Sequence, residues 1–307
     1  MPKIEYVSKK FRADSLNLID RINSVIDNYA QQGYSLSLRQ VYYQMVARNI
    51  IENNERCYKN LGTLISDARL AGLIDWNAIE DRTRSIRSNA HWYTPKDIIN
   101  SAAYSYHLDY WEGQKNYVEV WVEKDALVGI VGQICERLDV KYFSCRGYVS
   151  QSEMWGAAER LISSQRKGQN VIILHLGDHD PSGRDMSRDI QDRLRIFGVT
   201  QFKFHRLALN MDQITTYNPP PNPTKLTDSR ASAYIDEFGH NCWELDALEP
   251  QVISDLISSN VKKYRNDSVY EKIFKREGKE KVMLEEISKN WDIINNNWSE
   301  IKRLYRV

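Results

Sequence analysis

Apolar side chains recur at Leu16, Ile19, Ile22, Val25, Ile26 and Tyr29, the three-and-four spacing of a helix with one buried face, behind a cap at Asp14 or Ser15. After a Gln-Gln-Gly break, SLSLRQVYYQMVARNII places Leu38, Val41, Tyr42, Met45 and Val46 at helical spacing and predicts a second helix. Segment 59–73 predicts a third, with Leu61, Leu64, Ile65 and Ala68 inside and Lys59, Asn60, Thr63, Ser66 and Arg69 outside. Gly72 ends it, and short β-like pieces follow with Arg82, Arg84 and Arg87. Each residue of a helix advances about 100° around its axis. Tyr42 therefore falls in the stripe centred on Leu38 and Met45, whereas Tyr43 lies beyond it, where its hydroxyl can reach solvent or a ligand.

Three short helices and a basic, extended tail predict a winged-helix DNA-binding domain over 1–90, a relative of the helix-turn-helix that lays its last helix in the major groove. On that reading Arg39, Lys59, Arg69, Arg82, Arg84 and Arg87 are candidate DNA contacts. Residues 91–114, irregular and rich in tyrosine and tryptophan, read as a linker. Strands then alternate with helices: strand 117–122, helix 125–138, strand 140–145, helix 151–164, strand 170–176, helix 184–197, strand 201–207. The fold class is α/β, a mainly parallel sheet covered on both faces. Beyond 210 the alternation stops, and 211–307 reads as a mostly helical extension, packing on the sheet domain or dimerising.

The run Val171, Ile172, Ile173, Leu174 and Leu176 is too continuous for a one-sided strand, and it stops at Asp178 and Asp180. Ligands of such sheets bind at the carboxyl ends of the strands. Two carboxylates two residues apart raise each other's pKa unless a cation sits between them, and hard oxygen donors suit magnesium or manganese. YVEVWV ends at Glu123, so two parallel strands bring a third acid to the same rim. Lys124 and His179, beside these acids, are placed to contact phosphate or to play plain surface roles. Glu244 and Asp246 in WELDALEP read as ion pairs or helix caps, with a second metal site as the other reading.

The 42% hydrophobic content of 307 residues suffices for two modest cores. No apolar run is long enough to span a membrane and the N-terminus lacks a signal-peptide core, which makes cytoplasm, or the nucleoid when bound to DNA, the expected location. Cys57, Cys135, Cys145 and Cys242 are scattered, without zinc or disulfide spacing. A net charge of +1 neither announces nor excludes a nucleic-acid partner.

VEKDAL followed by GDHDPSG resembles the toprim domain, with its single glutamate and its DxD pair, and DxDPxG is the version in topoisomerase VI A subunits. LRQVYYQ resembles the helix that carries that family's catalytic tyrosine, and CRGYVSQS its glycine loop. The likeness spans about 35–207, closest to the short stand-alone "mini-A" relatives of topoisomerase VI A and of the meiotic double-strand-break transesterase. It implies a toprim domain over 115–210, with Glu123, Asp178 and Asp180 holding Mg2+ or Mn2+. It also implies that Tyr43 is a nucleophile aided by Arg39 and Glu123, with Lys124 on the DNA. The product would be a 5′-phosphotyrosine link in double-stranded DNA, cut on both strands by a homodimer in which one protomer's tyrosine meets the other's acids. The chain is shorter than a typical A subunit, which argues against coupling to an ATPase B subunit.

The competing readings are a toprim nuclease that uses water while Tyr43 only packs, and a catalytically silent DNA-binding protein. A haloacid-dehalogenase-type phosphatase would need the acidic strand early and a later acidic motif, neither of which is present.

Overall fold

Three helices open the computed structural model, which describes residues 3–79 and 89–305. These are α1 (Ala13–Gln31), α2 (Leu38–Ala47) and α3 (Glu55–Leu70), each packing on the other two. Their apolar stripes form one core through Ile19, Ile22, Tyr29, Val41, Met45, Leu61, Ile65 and Ala68. Ser37 and Gln40 close a capping box at the start of α2, fixing where the tyrosine helix begins. Among the described residues this part of the chain shows isolated bridges, Glu5 with Ala71 and Leu36 with Ile79, and the rest of the β-like pieces, from residue 80, lies outside the described residues.

The sheet follows as β1 (Asn116–Val122), β2 (Lys141–Ser144), β3 (Asn170–Leu176) and β4 (Phe202–Ala208), all parallel, in the order β2-β1-β3-β4. Residues 91–114, read from sequence as a linker, hold a helix, α4 (Pro95–Ser105), started by a Thr94–Asp97 capping box. The crossovers are α5 (Val128–Arg137), α6 (Gln151–Arg166) and α7 (Pro181–Ile196). Trp121, Val171 and Ile173 face Met154, Ala157, Leu161, Ile190 and Leu194 of α6 and α7 in one core. Val120, Ile172 and Leu174 alternate to the other side, and α5 packs there on β1 and β2. Burial on both faces is why β3 is apolar without alternation from Val171 to Leu174.

Chain order reverses direction between β1 and β3, because the chain passes from β1 outward to β2 and then returns to β1's other edge. That switch point opens a crevice at the strands' carboxyl ends. Beyond β4 come α8 (Met211–Tyr217), β5 (Asn222–Pro223), α9 (Ala231–Phe238), β6 (Asn241–Cys242), a single 3-10 turn at Leu245–Ala247 and α10 (Pro250–Lys262). β5 and β6 form a small antiparallel pair, and α10 packs on α5.

Residues 3–79 and 116–264 belong to one compact unit, and 89–115 with 265–305 to a second. The 211–307 extension is thus divided at 264, its first part joining the sheet. In the second unit α4 packs on α11 (Asp267–Lys289), followed by α12 (Trp291–Asn296) and α13 (Trp298–Tyr305). Glu277 of α11 accepts hydrogen bonds from the Leu108 amide and the Tyr110 hydroxyl, each at 2.7 Å. No described helix is long and apolar enough to cross a membrane.

Candidate functional site

β1 delivers Glu123 and β3 delivers Asp178 and Asp180 to the switch point, side by side as the register of the two strands requires. The Asp178 amide donates to Glu123 Oε2 at 2.8 Å. Asp180 accepts from the Gly183 amide at 2.6 Å, capping α7, with Pro181 as that helix's first residue. Burial raises the Glu123 pKa, and Asp180 adds to the rise. Burial likewise pushes Asp178 up to about 8, with Glu123 and Asp246 adding and Lys124 opposing. The donor set is hard oxygen only, which fits Mg2+ or Mn2+ by chemistry. Among the described residues, no group of three or more acids, histidines or cysteines stands ready to hold a metal ion.

Glycine is required on both sides of the acids. A Cβ at Gly177 would lie 2.8 Å from Glu123 Oε2, and one at Gly183 would lie 2.4 Å from the Asp178 carbonyl oxygen. The loop can approach Glu123 only because those side chains are missing.

The second half of the site comes from the turn after β6. The Leu245 amide donates to Asp178 Oδ1 at 2.7 Å, and Trp243 pairs with His179 through their backbones. Lys124 Nζ then lies 3.0 Å from Asp178, 2.5 Å from Glu244 and 2.9 Å from Asp246. Arg39 Nε reaches Asp246 at 2.8 Å, and its Nη2 binds Glu244. Lys124 and Arg39 hold the Glu244 carboxyl down at about 2 against the effect of burial. Those acids in turn raise both basic groups above their ordinary values despite burial. Tyr43 packs under Arg39, whose Cζ is 5.7 Å from the ring centroid. Burial and then the charges of Glu244 and Asp246 raise the phenol pKa.

Several sequence expectations change here. Tyr43 is 5% exposed rather than open, because the face of α2 that an isolated helix would show to water is covered by the turn at 245–247. Tyr42 packs as expected, with its hydroxyl on Asn53 and the Asn54 carbonyl. Lys124 is enclosed by carboxylates instead of facing DNA, and Arg39 is committed to the same acids. Glu244 and Asp246 act as ion pairs, the first of their two readings. Arg69, half-buried, turns back onto the chain after α3, donating to the Trp76 carbonyl at 2.9 Å and to that of Ile79. Lys59 stays exposed, paired with Glu55 one turn before it at 2.8 Å. Arg82, Arg84 and Arg87 lie outside the described residues. His179 is buried rather than on the surface, its Nδ1 on the Tyr234 hydroxyl at 2.7 Å and its ring against Phe238.

Sequence reading missed Arg206. Its Nη1 donates to the Gly183 carbonyl at 3.0 Å and to Ser187 Oγ at 2.5 Å. Its Nη2 donates to the Gly177 carbonyl at 3.1 Å and to that of Asp178. Burial, aided by the charge of Arg184, lowers its pKa to about 10. The available signal was an arginine inside FKFHRLA, a strand expected to be covered on both faces. Comparison of the chain with models of known protein families and with curated proteins finds no match.

Proposed function

We propose that this chain is a divalent-metal-dependent DNA-cleaving transesterase of the topoisomerase VI A type. In this reading the N-terminal helices are a winged-helix domain and the parallel sheet a toprim domain. The observation that carries it is the unbroken set of ion pairs from Arg39, over Tyr43, through Glu244 and Asp246 to Lys124 and Asp178. It couples the tyrosine helix to the acidic rim inside one compact unit.

Tyr43 Oη attacks the phosphorus of a DNA phosphodiester, forming a tyrosyl O–P bond as the bond to the 3′-oxygen breaks. The phenolic proton passes to Glu244, whose charge acts on the phenol, and the departing 3′-oxygen takes up a proton from solvent. Arg39, released from its acids by an incoming phosphate, stabilises the phenolate and the phosphate oxygens. Glu123, Asp178 and Asp180 hold the metal, which when bound supplies positive charge against that growing on the phosphate. A second copy of the chain cuts the opposite strand, each tyrosine working with the acids of its own chain rather than with its partner's as the resemblance implies. The ATPase B subunit is not part of this reading.

One observation favours a second reading. Tyr43 is buried and its phenol is pushed above the ordinary value of about 10, which suits a nuclease that uses water. Radiolabelled supercoiled DNA incubated with the protein and Mg2+ or Mn2+, then denatured and digested, separates the two. Label on a peptide containing Tyr43, absent in Tyr43→Phe, supports transesterification. Cleavage without attached protein, unchanged in Tyr43→Phe and lost in Asp178→Ala, makes the protein a hydrolytic nuclease. DNA binding with no cleavage in any metal leaves a silent binding protein.

A further inference from the structure

We propose that Arg206 is a positioning residue for the acidic rim, an internal staple that shapes the loop 177–183 so that Glu123, Asp178 and Asp180 can share one cation. The inference rests on the metal-dependent reading above. Its basis is where the guanidinium spends its hydrogen bonds. It donates to the carbonyls of Gly177, Asp178 and Gly183, which stand before the first acid, at it and after the second. One planar group therefore ties both ends of the loop, which a lysine ammonium with a single nitrogen cannot do in the same geometry.

The backbone is built around that contact. Arg206 stands opposite His175 in the β3–β4 ladder, but Leu176 pairs with Ala208, so Leu207 is an extra residue. Such a bulge re-aims a side chain beside a site. A Cβ at Gly177 would lie 3.3 Å from Arg206 Nη1 as well as against Glu123. Ser187 Oγ, nearly two turns into α7, receives Nη1 and also touches His175 Nδ1 at 3.2 Å, so the staple continues into the helix that Asp180 caps. The bonds go to neutral carbonyls, so the guanidinium does not compete with a cation for the carboxylates of Glu123 and Asp180, which accept instead from the Asp178 amide and from Ser182 Oγ and the Gly183 amide. An apolar side chain at 206 would take a donor from the carbonyl of buried Asp178, while the Gly177 carbonyl would keep the Leu209 amide and that of Gly183 the Ser187 hydroxyl.

The test is Mn2+ binding to the full chain, measured by electron paramagnetic resonance, alongside near-ultraviolet circular dichroism and thermal unfolding without metal. Arg206→Met is expected to weaken Mn2+ binding by about 10- to 100-fold, the usual range for residues that orient metal ligands. Arg206→Gln keeps two donors and is expected to lose at least about fivefold; it decides the matter if Arg206→Met fails to fold. A folded variant that binds Mn2+ as tightly as the parent, whatever its melting temperature, overturns the inference and leaves Arg206 structural. A parent chain that binds no Mn2+ overturns the metal-dependent reading along with it.

Discussion

Replacing Lys124 with methionine tests the central claim about the site, that a buried ammonium holds the rim acids together. The lysine side chain is 15% exposed, and those of Asp178 and Asp246 are 9% and 0% exposed, so solvent screens the cluster little. At 3.0 Å and an effective dielectric of about 20, one such pair carries about 5 kcal/mol of Coulomb energy, against several kcal/mol for desolvating each ion. Removing one partner strands the other, and the usual net cost of doing so is about 3–5 kcal/mol. Asp246 keeps Arg39, so the stranded group is Asp178. Urea unfolding in chelator at a pH above about 8, where Asp178 of the parent is ionised, should show Lys124→Met losing about 3–5 kcal/mol from the transition of the sheet-containing unit. Adding Asp178→Asn removes the stranded charge, and the double variant should be the more stable of the two. Mg2+ should also restore part of the loss in the single variant. A loss below about 1 kcal/mol would refute the reasoning, because a lysine worth so little cannot be organising these carboxylates.

Glu277→Gln probes the second unit. Lys281, the Leu108 amide and Tyr110 overcome burial and hold the Glu277 pKa at about 2, below the usual value of about 4.3. Stability from a depressed carboxyl is present above the unfolded pKa and fades as pH falls toward the folded one. The wild-type advantage should thus be about 3 kcal/mol at neutral pH and nearly vanish by about pH 2, as read by calorimetry. A constant difference across that range would count against the assignment. Gly183→Ala should lower the melting temperature and abolish any Mn2+ binding, since its Cβ meets the Asp178 carbonyl at 2.4 Å. Arg69→Met should cost stability, because it strands the Trp76 and Ile79 carbonyls. If it instead weakens DNA binding with no change in unfolding, this reading of Arg69 fails.

The three N-terminal helices and the strand–helix alternation were legible because periodicity is local, and Ile19, Val41 and Leu61 declare their faces without tertiary help. The convergence of Glu123 with Asp178 was legible for a related reason: adjacent parallel strands must end on one rim. What could not be read were the pairings of groups far apart in sequence. Tyr43 is open on an isolated helix and closed once residues 245–247 cover it. Lys124 and Arg39 look like phosphate contacts until Glu244 and Asp246 arrive from more than a hundred residues away. The 91–114 stretch gave a weak helical signal because α4 takes its stability from packing on α11, with only Ala103 of its side chains buried.

The Leu245 amide on Asp178 and the Trp243 bridge to His179 have a practical consequence for dissecting the molecule. A fragment ending at β4 would contain all four strands and every acid of the rim. Asp178 Oδ1 would nevertheless lose its donor, Lys124 two of its three counter-charges, and α2 its covering turn. The smallest portion that carries an intact rim therefore runs through the end of α10 at Lys262 and includes α1 to α3. Trimming by strand count would yield a fragment whose failure to bind metal says nothing about the whole protein.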